Sequence, residues 1–151
     1  MNISCKAFQE LTVQELYDIL QLRSEVFVIE QKCVYQDMDG IDQKCHHLLL
    51  YKENSLEAYA RLIPKGLTFK EPSIGRIITR THGQGLGAIL MKEALEAMVQ
   101  LFGNSPIRIG AQTYAIEFYK KFGFIPEGEV YDEDGIEHIE MVIRSISSSY
   151  I

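Results

Sequence analysis

Three alternate glycines mark the stretch of this 151-residue sequence that is best suited to binding chemistry. Gly83, Gly85 and Gly87 lie between a strand-like segment and an apolar, helix-like run that ends near Phe102. Glycine leaves backbone N–H groups uncovered, and a helix N-terminus adds partial positive charge. Together these features predict a binding site for a phosphate or pyrophosphate group. The question is then which phosphorylated ligand binds there.

Two common phosphate-binding motifs fit this turn poorly. A P-loop needs Lys and then Ser or Thr after its glycines, whereas Leu86, Gly87 and Ala88 stand here. The dinucleotide fingerprint is matched formally from Gly83 to Ala88. Its acidic partner, about 20 residues further on, is missing, since the next predicted strand ends at Gln112. The P-loop is therefore excluded, and a dinucleotide site is the weaker alternative to a third kind of phosphorylated ligand.

The charge and hydropathy of the chain limit its partners. Lys and Arg number 15 against 21 Asp and Glu, a net charge of −6, which argues against a nucleic-acid-binding protein. The acidic balance is compatible with a cationic amine substrate, although solubility alone also explains it. No apolar run approaches the ~18 residues of a membrane span, and no leader is apparent after Met1. We therefore expect one cytoplasmic domain over residues 1–151, without a membrane segment.

The cysteines and the acidic loop give only weak metal signals. Cys5, Cys33 and Cys45 are odd in number and far apart, which favours free thiols in a reducing compartment. Cys33 and Cys45, together with His46-His47, do not match the spacing of a zinc site. The loop at 31–44 carries Asp-x-Asp-Gly-x-Asp but lacks the bidentate Glu of a calcium loop. The sequence therefore predicts no metal.

Hydrophobic periodicity predicts a mixed fold. Thr12 to Glu15 forms a capping-box pattern that opens a helix ending near Val28. The other predicted elements are strands at 3–8, 46–52, 56–63, 73–79 and 106–111, helices at 86–102 and at 113–122 with Thr113 as the cap, and a last hairpin of 124–131 and 138–144 around Asp134-Gly135. The tail at 145–151 is predicted to be loose. This order predicts an α/β (α+β) fold with a mixed, mostly antiparallel central sheet and helices on both faces.

Several motifs together resemble one enzyme family. His82-Gly83-Gln84-Gly85-Leu86-Gly87 is similar to the pyrophosphate motif of the Gcn5-related N-acetyltransferases (GNAT family). The segment 118–124 resembles the second signature of that family, and 22–27 resembles its substrate-side first helix. Val34-Tyr35-Gln36-Asp37, Asp39-Gly40 and 134–138 are similar to the ElaA-like branch. The resemblance spans roughly 16–141 and implies a GNAT-like fold.

The resemblance implies acetyl transfer from acetyl-coenzyme A, as co-substrate, to the amine of a small molecule or peptide, and it leaves a homodimer open. It assigns the cofactor to a set of residues from the strand before the glycines, the glycine turn and the second signature. These residues are Ile77, Ile78, Thr79, His82, Gly83, Gln84, Gly85, Leu86, Gly87, Ala88, Phe118 and Lys121. The resemblance of 22–27 to the substrate-side first helix places Arg23 and Phe27 on the substrate side. Gln31 and His47 are further candidates for that side.

Acetyl transfer needs an acid, an oxyanion donor and a base. Tyr119 matches the position of the family's general acid, and a backbone N–H at Ile77 or Ile78 is our choice of oxyanion donor. Some relatives carry a Glu that can act as the base on the strand before the glycines, but 73–79 contains no acidic residue. His138 is the first candidate for the base because imidazole titrates near neutral pH, although a histidine satisfied by strand hydrogen bonds is the favoured interpretation of this residue. The other candidates are His47, Glu30, Asp37 and Asp39.

Two departures from the family pattern suggest a second hypothesis. His82 stands where Arg or Gln is usual, and the connection from 75–78 to the glycines looks shortened. Arg23 has two interpretations as well, since it could bind a substrate carboxylate or form an ordinary ion pair. The alternative to an enzyme is a non-catalytic module of the same fold that binds or senses coenzyme A.

Overall fold

Eight strands and three helices follow one another along residues 1–32 and 35–147, the part of the chain that the computed structural model describes. Cys33, Val34 and residues 148–151 lie outside the described residues. The strands are β1 (Asn2–Ala7), β2 (His46–Lys52), β3 (Ser55–Ile63), β4 (Ser73–Thr79), β5 (Ile107–Gln112), β6 (Ile125–Pro126), β7 (Tyr131–Glu133) and β8 (Ile136–Ile143). The helices are α1 (Val13–Arg23), α2 (Leu86–Phe102) and α3 (Ile116–Lys120).

Helix α1 begins with the predicted capping box. The Thr12 Oγ1 accepts a hydrogen bond from the Glu15 N–H at 3.0 Å, and the Glu15 carboxylate accepts one from the Thr12 N–H at 2.8 Å. The helix does not stop at Arg23, because a π-helical stretch, Ser24–Glu30, continues it. This stretch, called the π segment below, is a type of helix that is rare and often found at functional sites.

The first sheet is antiparallel, in the order β1-β2-β3-β4, and carries helices on both faces. Successive side chains of a strand point to opposite faces, so neighbouring residues pack against different helices. Leu49 and Tyr59 belong to the cluster that contains Leu22 of α1, whereas Leu48 belongs to the cluster that contains Leu90 of α2. The predicted sheet with helices on both faces is confirmed.

A second antiparallel sheet, in the order β5-β8-β6, continues from the first, and β7 pairs with β8. Arg108 at the start of β5 donates its backbone N–H to the Pro72 carbonyl, just before β4, at 3.1 Å. The last hairpin turns at Asp134 and Gly135, whose φ angles of 53° and 82° are those of a two-residue type I′ turn. The central sheet is therefore hydrogen-bonded as two halves that meet where β4 and β5 begin.

Two details of the C-terminal third differ from the prediction. Thr113 forms no side-chain cap, since Thr113–Ala115 is a 3-10 turn and α3 begins only at Ile116. The predicted strand at 124–131 is divided between β6 and β7. Pro126 has no N–H to donate, and Gly128 has a φ of 93°, so a continuous ladder cannot pass through this stretch.

The chain after β8 is partly fixed. Ile146 is 4% exposed and belongs to the same core as α2. Its N–H donates to the Asn104 Oδ1 at 2.9 Å. The prediction of a loose tail is therefore wrong for Ile146, because burial of its side chain anchors the chain there. Among the described residues, no helix is both long enough and apolar enough to cross a bilayer.

Candidate active site

The glycine turn leaves the start of α2 without a side-chain cap. Gly83 and Gly85 have φ angles of 76° and 74°, and a Cβ built on either would meet nothing within 4 Å. Gly85 is the N-cap residue, no side chain caps the helix, and its first turn carries no acidic residue. The first N–H groups of an α-helix have no acceptor within the helix. The turn therefore presents uncovered donors and the positive end of a helix dipole to solvent.

Helix α3 lies beside this turn. A Cβ added at Gly87 would come within 3.5 Å of the Phe118 ring, so α2 and α3 approach each other closely at this point. Phe118 also packs edge-on against Tyr119, with ring centroids 5.3 Å apart. Gly87 therefore allows the two predicted motifs to form one corner of the molecule. Lys121, at the end of α3, is exposed, and Ala88 is exposed in the first turn of α2.

Tyr119 is packed by aromatic rings but keeps its hydroxyl unengaged. Its ring lies 6.1 Å from that of Phe124 and at 73° to it. Among residues 1–32 and 35–147, no group hydrogen-bonds to its hydroxyl. Burial, together with the nearby Tyr114 phenol, raises the pKa of Tyr119 well above its ordinary value of 10. The phenol is therefore fully protonated at neutral pH and can donate.

Strand β4 contains a β-bulge. Tyr59 of β3 lies opposite Ile78. Arg61, two residues later in β3, lies opposite Gly75, three residues earlier in β4. One extra residue is therefore inserted in β4, at Arg76, which has a positive φ of 48°. The extra residue of a bulge is left out of the hydrogen-bond ladder and re-aims its neighbours.

The bulge also changes which faces the β4 side chains occupy. Ile74 and Ile77, three residues apart, pack against the same core cluster, which a regular strand with a two-residue period does not allow. Ile78 packs on the opposite side, against α1. The predicted cofactor residues Ile77, Ile78 and Thr79 thus form the C-terminal end of β4 beyond the bulge.

The π segment lies across the C-terminal ends of β4 and β5. Arg80, which follows β4, forms an ion pair with Glu25 of the π segment. Gln112, which ends β5, exchanges side-chain hydrogen bonds of 3.3 and 3.4 Å with Gln31, which follows the π segment. Within the described residues β4 and β5 share no ladder, since they belong to different sheets. We call the space between these C-terminal ends the β4–β5 gap.

Arg23 lies in a buried ion-pair network rather than on the substrate side. Its side chain is 1% exposed, its Nε donates to Asp37 at 2.8 Å, and its Nη1 donates to Asp42 at 2.8 Å. Arg61 joins the network through Asp39 at 2.7 Å and Asp42 at 2.9 Å. The placement of Arg23 corrects the expectation of a substrate contact, because a guanidinium in the interior must be neutralised by carboxylates.

The same network argues against Asp37 and Asp39 as general bases. Burial by itself raises the pKa of Asp39, but hydrogen bonding and charge from Arg61 more than reverse this and lower it to about 2. Asp37 is 8% exposed and accepts hydrogen bonds from two arginines. The oxygens of a carboxylate held this way are occupied by arginine donors and face no substrate.

His47 is also interior. It is 1% exposed, its Nδ1 lies 2.7 Å from the Tyr59 hydroxyl, and its Nε2 lies 2.9 Å from the Asp42 carbonyl oxygen. Burial lowers the pKa of His47, so the ring is held neutral. Both ring nitrogens have partners, and the ring is not exposed to a substrate. The predicted substrate-side role and the alternative role as base are therefore not supported.

His138 has a different environment, on β8 opposite Gln112 of β5. Its Nδ1 lies 2.8 Å from the Ile136 carbonyl oxygen, which can only accept, so Nδ1 carries the proton in the neutral ring. Its Nε2 lies 3.4 Å from Glu133, and its ring stacks on Tyr131. The side chain is 7% exposed. Nδ1 is therefore committed to a backbone carbonyl, whereas Nε2 makes no hydrogen bond within the described residues and has the Glu133 carboxylate as its polar neighbour.

The remaining predicted residues line the outer part of this region. His82 is largely exposed, and its Nε2 lies 2.9 Å from the Glu30 carboxylate at the end of the π segment. Phe27 is partly buried against the cluster that contains α1 residues. The described residues contain no group of three or more His, Cys, Asp or Glu that could hold a metal. Cys33, part of the weighed metal site, lies outside the described residues.

Two features of the site escaped sequence analysis. The first is the bulge at Arg76, for which the glycine that precedes it in β4, Gly75, was an available signal. The second is Tyr131, whose hydroxyl lies 2.8 Å from the position a Cβ would take at Gly110 of β5. A signal for the ion-pair network was present, because Arg61 interrupts the otherwise apolar run 58–63 close to an acidic loop in sequence. An arginine within a buried strand requires nearby carboxylates.

Comparison with known proteins agrees with this geometry. A family profile described as "Acetyltransferase (GNAT) domain" matches residues 9–145. Protein ElaA of Escherichia coli (strain K12) is 44% identical over 143 residues, covering 92% of this chain and 94% of ElaA. The crystal structure of E. coli ElaA aligns with a TM-score of 0.88 at 40% identity, over 95% of this chain and 99% of that one. An acyl-CoA N-acyltransferase from Pseudomonas aeruginosa aligns with a TM-score of 0.90 at 41% identity, with the same coverage of 95% and 99%.

Proposed function

This chain belongs to the GNAT acetyltransferase family, in its ElaA-like branch, and from that membership we propose that it transfers an acetyl group from acetyl-coenzyme A to an amine. Acyl transfer is the chemistry of the family. The acetyl donor, the amine acceptor and the roles of individual residues are the content of the proposal. The observation that carries it is the uncapped start of α2, which lies next to the helix that bears Tyr119.

The pyrophosphate of the cofactor is assigned to the glycine turn. The N–H groups of Leu86, Gly87 and Ala88 have no acceptor within the helix, and no atom lies within 4 Å of the positions that a Cβ would take at Gly83 and Gly85. Uncovered amides and the helix dipole suit a dianionic group. Phe118 lies at the same corner and Lys121 is exposed nearby at the end of α3, where a cation can serve the phosphates.

The acyl arm is assigned to the β4–β5 gap. Thr79 and its neighbours end β4 beyond the bulge, and β5 shares no ladder with β4 within the described residues. A backbone N–H at Ile77 or Ile78 is the proposed oxyanion donor. One such donor contributes about 3 kcal/mol to the stability of a developing oxyanion.

Tyr119 is the proposed general acid. The thioester supplies an activated acetyl carbonyl, and its departing thiolate needs a proton. The Tyr119 phenol is protonated at neutral pH, and its hydroxyl has no partner among the described residues, so its proton is free to be donated. The same aromatic packing that raises its pKa also fixes the direction of the ring.

His138 is the proposed base, because the structure leaves its Nε2 lone pair available while holding Nδ1–H on a backbone carbonyl. An alkyl amine has a pKa of about 10, so one proton must be removed before attack. His138 lies opposite Gln112, at the β5 side of the gap. Glu30, paired with His82 at the surface, is the second candidate. Gln31, bonded to Gln112, and the partly buried Phe27 remain the candidate acceptor contacts.

The test places one negative charge in the proposed pyrophosphate site. Ala88 is exposed in the first turn of α2, and Ala88→Glu there suits the helix dipole, so folding is preserved or improved. The matched control Ala88→Gln has the same size without the charge. By isothermal titration with acetyl-coenzyme A, we expect Ala88→Glu to weaken binding at least about tenfold relative to Ala88→Gln.

Turnover separates the enzyme from its alternative. Thiol release from acetyl-coenzyme A is followed with a panel of polyamines, aminoglycosides and basic peptides. Release that depends on one of these amines supports the acetyltransferase. Tight binding without release by any amine favours the non-catalytic coenzyme A module. Equal binding by the two Ala88 variants, or no binding by the wild type, refutes the proposal.

A further inference from the structure

We propose that Arg76 is a positioning residue, which fixes the shape of the β4 bulge through an ion pair with Asp37. The inference rests on the proposed function, because Ile77, one of the two proposed oxyanion donors, is the next residue after Arg76. It goes further by assigning to the acidic loop at 35–44 a part in shaping the acyl site.

The backbone at Arg76 adopts a conformation that its residue type disfavours. Its φ is 48°, in the left-handed region where a Cβ crowds the following carbonyl. No glycine occupies this position, although the preceding residue is Gly75. A conformation of this kind persists only where surrounding contacts hold it. The contacts of the Arg76 side chain are therefore the interactions that can hold the bulge in this conformation.

The Arg76 guanidinium is held on several sides. Its Nε donates to the Asp37 Oδ1 at 3.0 Å, and its Nη2 donates to the Asp37 carbonyl oxygen at 2.9 Å. The same Nη2 lies 3.5 Å from Asp39, and the Tyr35 ring lies 5.7 Å from the guanidinium carbon. A planar guanidinium that bonds to a side chain and a backbone group at once is restrained in direction as well as in distance.

The two aspartates that contact Arg76 are themselves bound by buried arginines. Asp37 also accepts a hydrogen bond from Arg23, whose side chain is 1% exposed, and Asp39 is held by Arg61, whose side chain is 2% exposed. Arg23 belongs to α1 and Arg61 to β3, so the loop is anchored to two rigid elements. The bulge of β4 is therefore connected to α1 through Asp37 and to β3 through Asp39.

The matched control lies on the neighbouring strand. Arg108 of β5 forms ion pairs with Glu71, Glu127 and Glu140 at 3.1, 2.8 and 3.0 Å. Substitution of Arg108 therefore removes a comparable set of carboxylate contacts. Its φ is not positive, and it lies where its own N–H joins the two sheets by bonding to the Pro72 carbonyl.

The experiment compares the dissociation constants of coenzyme A and acetyl-coenzyme A by calorimetry. The two ligands differ only in the acetyl group, so the ratio of their dissociation constants reports the contact to the thioester carbonyl. We expect the wild type and Arg108→Gln to bind acetyl-coenzyme A about fivefold more tightly, as one hydrogen bond provides. In Arg76→Gln we expect the ratio to fall to about one while the affinity for coenzyme A stays within about threefold.

Arg76→Gly is a second variant that keeps the test valid if Arg76→Gln fails to fold. Glycine adopts a positive φ without strain, so the backbone is tolerated while the contact with Asp37 is lost. We expect its ratio to fall as in Arg76→Gln. An unchanged ratio in Arg76→Gly, or equal ratios in wild type and Arg76→Gln, overturns the positioning role. If the wild type binds neither ligand, the proposed function fails and this inference fails with it.

Discussion

At the scale of single residues, the site is distinguished by how its polar side chains are satisfied. His47 and His138 are both largely buried histidines on strands, but their hydrogen bonds differ. Both nitrogens of His47 are engaged, whereas His138 commits only Nδ1 to a close partner and leaves Nε2 at 3.4 Å from Glu133. Only a lone pair that is not committed can accept a proton from a substrate. This difference is why we assign the base to His138.

Tyr119 gives the first residue-scale prediction. We expect Tyr119→Phe to lower the rate of amine-dependent thiol release from acetyl-coenzyme A by about 10²-fold, the usual contribution of a general acid. The affinity for acetyl-coenzyme A should be unchanged. The reason is that phenylalanine preserves the aromatic packing and removes only the donated proton. Because the pKa of Tyr119 is raised, the wild-type rate should not fall through loss of this proton until well above pH 10.

The control for Tyr119 is Tyr17, which is 65% exposed on α1. Tyr17→Phe removes the same hydroxyl from the surface and should leave the rate unchanged. If Tyr119→Phe retains the wild-type rate with saturating acceptor, another group or water donates the proton, and the acid assignment is lost.

At the scale of elements, the acidic loop at 35–44 is the least regular part of the site and one of the most heavily paired. Asp37, Asp39 and Asp42 are all bound to arginines from α1, β3 or β4. The calcium-loop pattern in the sequence therefore has a different meaning. The carboxylates neutralise arginines instead of a metal ion, and they hold the loop in place.

The loop yields a prediction about acid stability. The pKa of Asp39 is about 2 in the folded chain and has an ordinary value of 3.8 when unfolded. Its ion pair with Arg61 therefore adds stability above about pH 4, and this contribution is lost as pH falls through about 2. We expect Asp39→Asn to destabilise the protein by about 1 kcal/mol at pH 7 and by progressively less between pH 4 and pH 2.

Urea unfolding at pH 7, 4 and 2.5 checks this prediction. Glu137→Gln, an exposed carboxylate of the last hairpin, is the control, and its small effect should not change with pH. A difference between Asp39→Asn and wild type that stays constant down to pH 2.5 would mean that Asp39 is not stabilised as an anion by Arg61.

At the scale of the whole molecule, two half-sheets share one core, and Ile146, after the last strand, packs against that core. Leu48 of the first half and Met141 of the second pack into the cluster around α2. Ile146 belongs to the same cluster although it follows the last strand. This shared core and the hydrogen bond from the Arg108 N–H to the Pro72 carbonyl hold the two halves together.

Ile146 supplies the prediction at this scale. We expect Ile146→Ala to cost about 2 kcal/mol, the low end of the range for a buried isoleucine, because Ile146 lies outside the helices and strands and its backbone can relax around the lost methyl groups. Ile125, 54% exposed on β6, is the control, and Ile125→Ala should cost less than about 0.5 kcal/mol. Equal midpoints in thermal unfolding for the two variants would show that burial of Ile146 does not stabilise the core.

The acceptor amine and the homodimer stay predictions. The acceptor has its candidate surface at Gln31, Gln112 and His138, which lie around the β5 side of the gap. Small-angle scattering of the free protein, compared with the mass of one chain, decides between monomer and dimer.

The sequence by itself determined the elements and the local chemistry. Strand β4 and helix α2 have the predicted bounds, the capping box at Thr12 is formed, and the glycine turn starts α2 as expected. These features depend on periodicity, capping and glycine conformations, which are properties of neighbouring residues. The family resemblance rests on the same local motifs, which explains why it was visible before the fold.

Only the tertiary structure decided which polar residues are free to react. Arg23 and His47 fit a substrate-side role by type, but long-range partners at Asp37 and Asp42 place both in the interior. The bulge at Arg76 likewise depends on Asp37, 39 residues away in sequence. Ion pairs and bulges are set by segments that meet only after folding, and local sequence carries no period or capping signal for them.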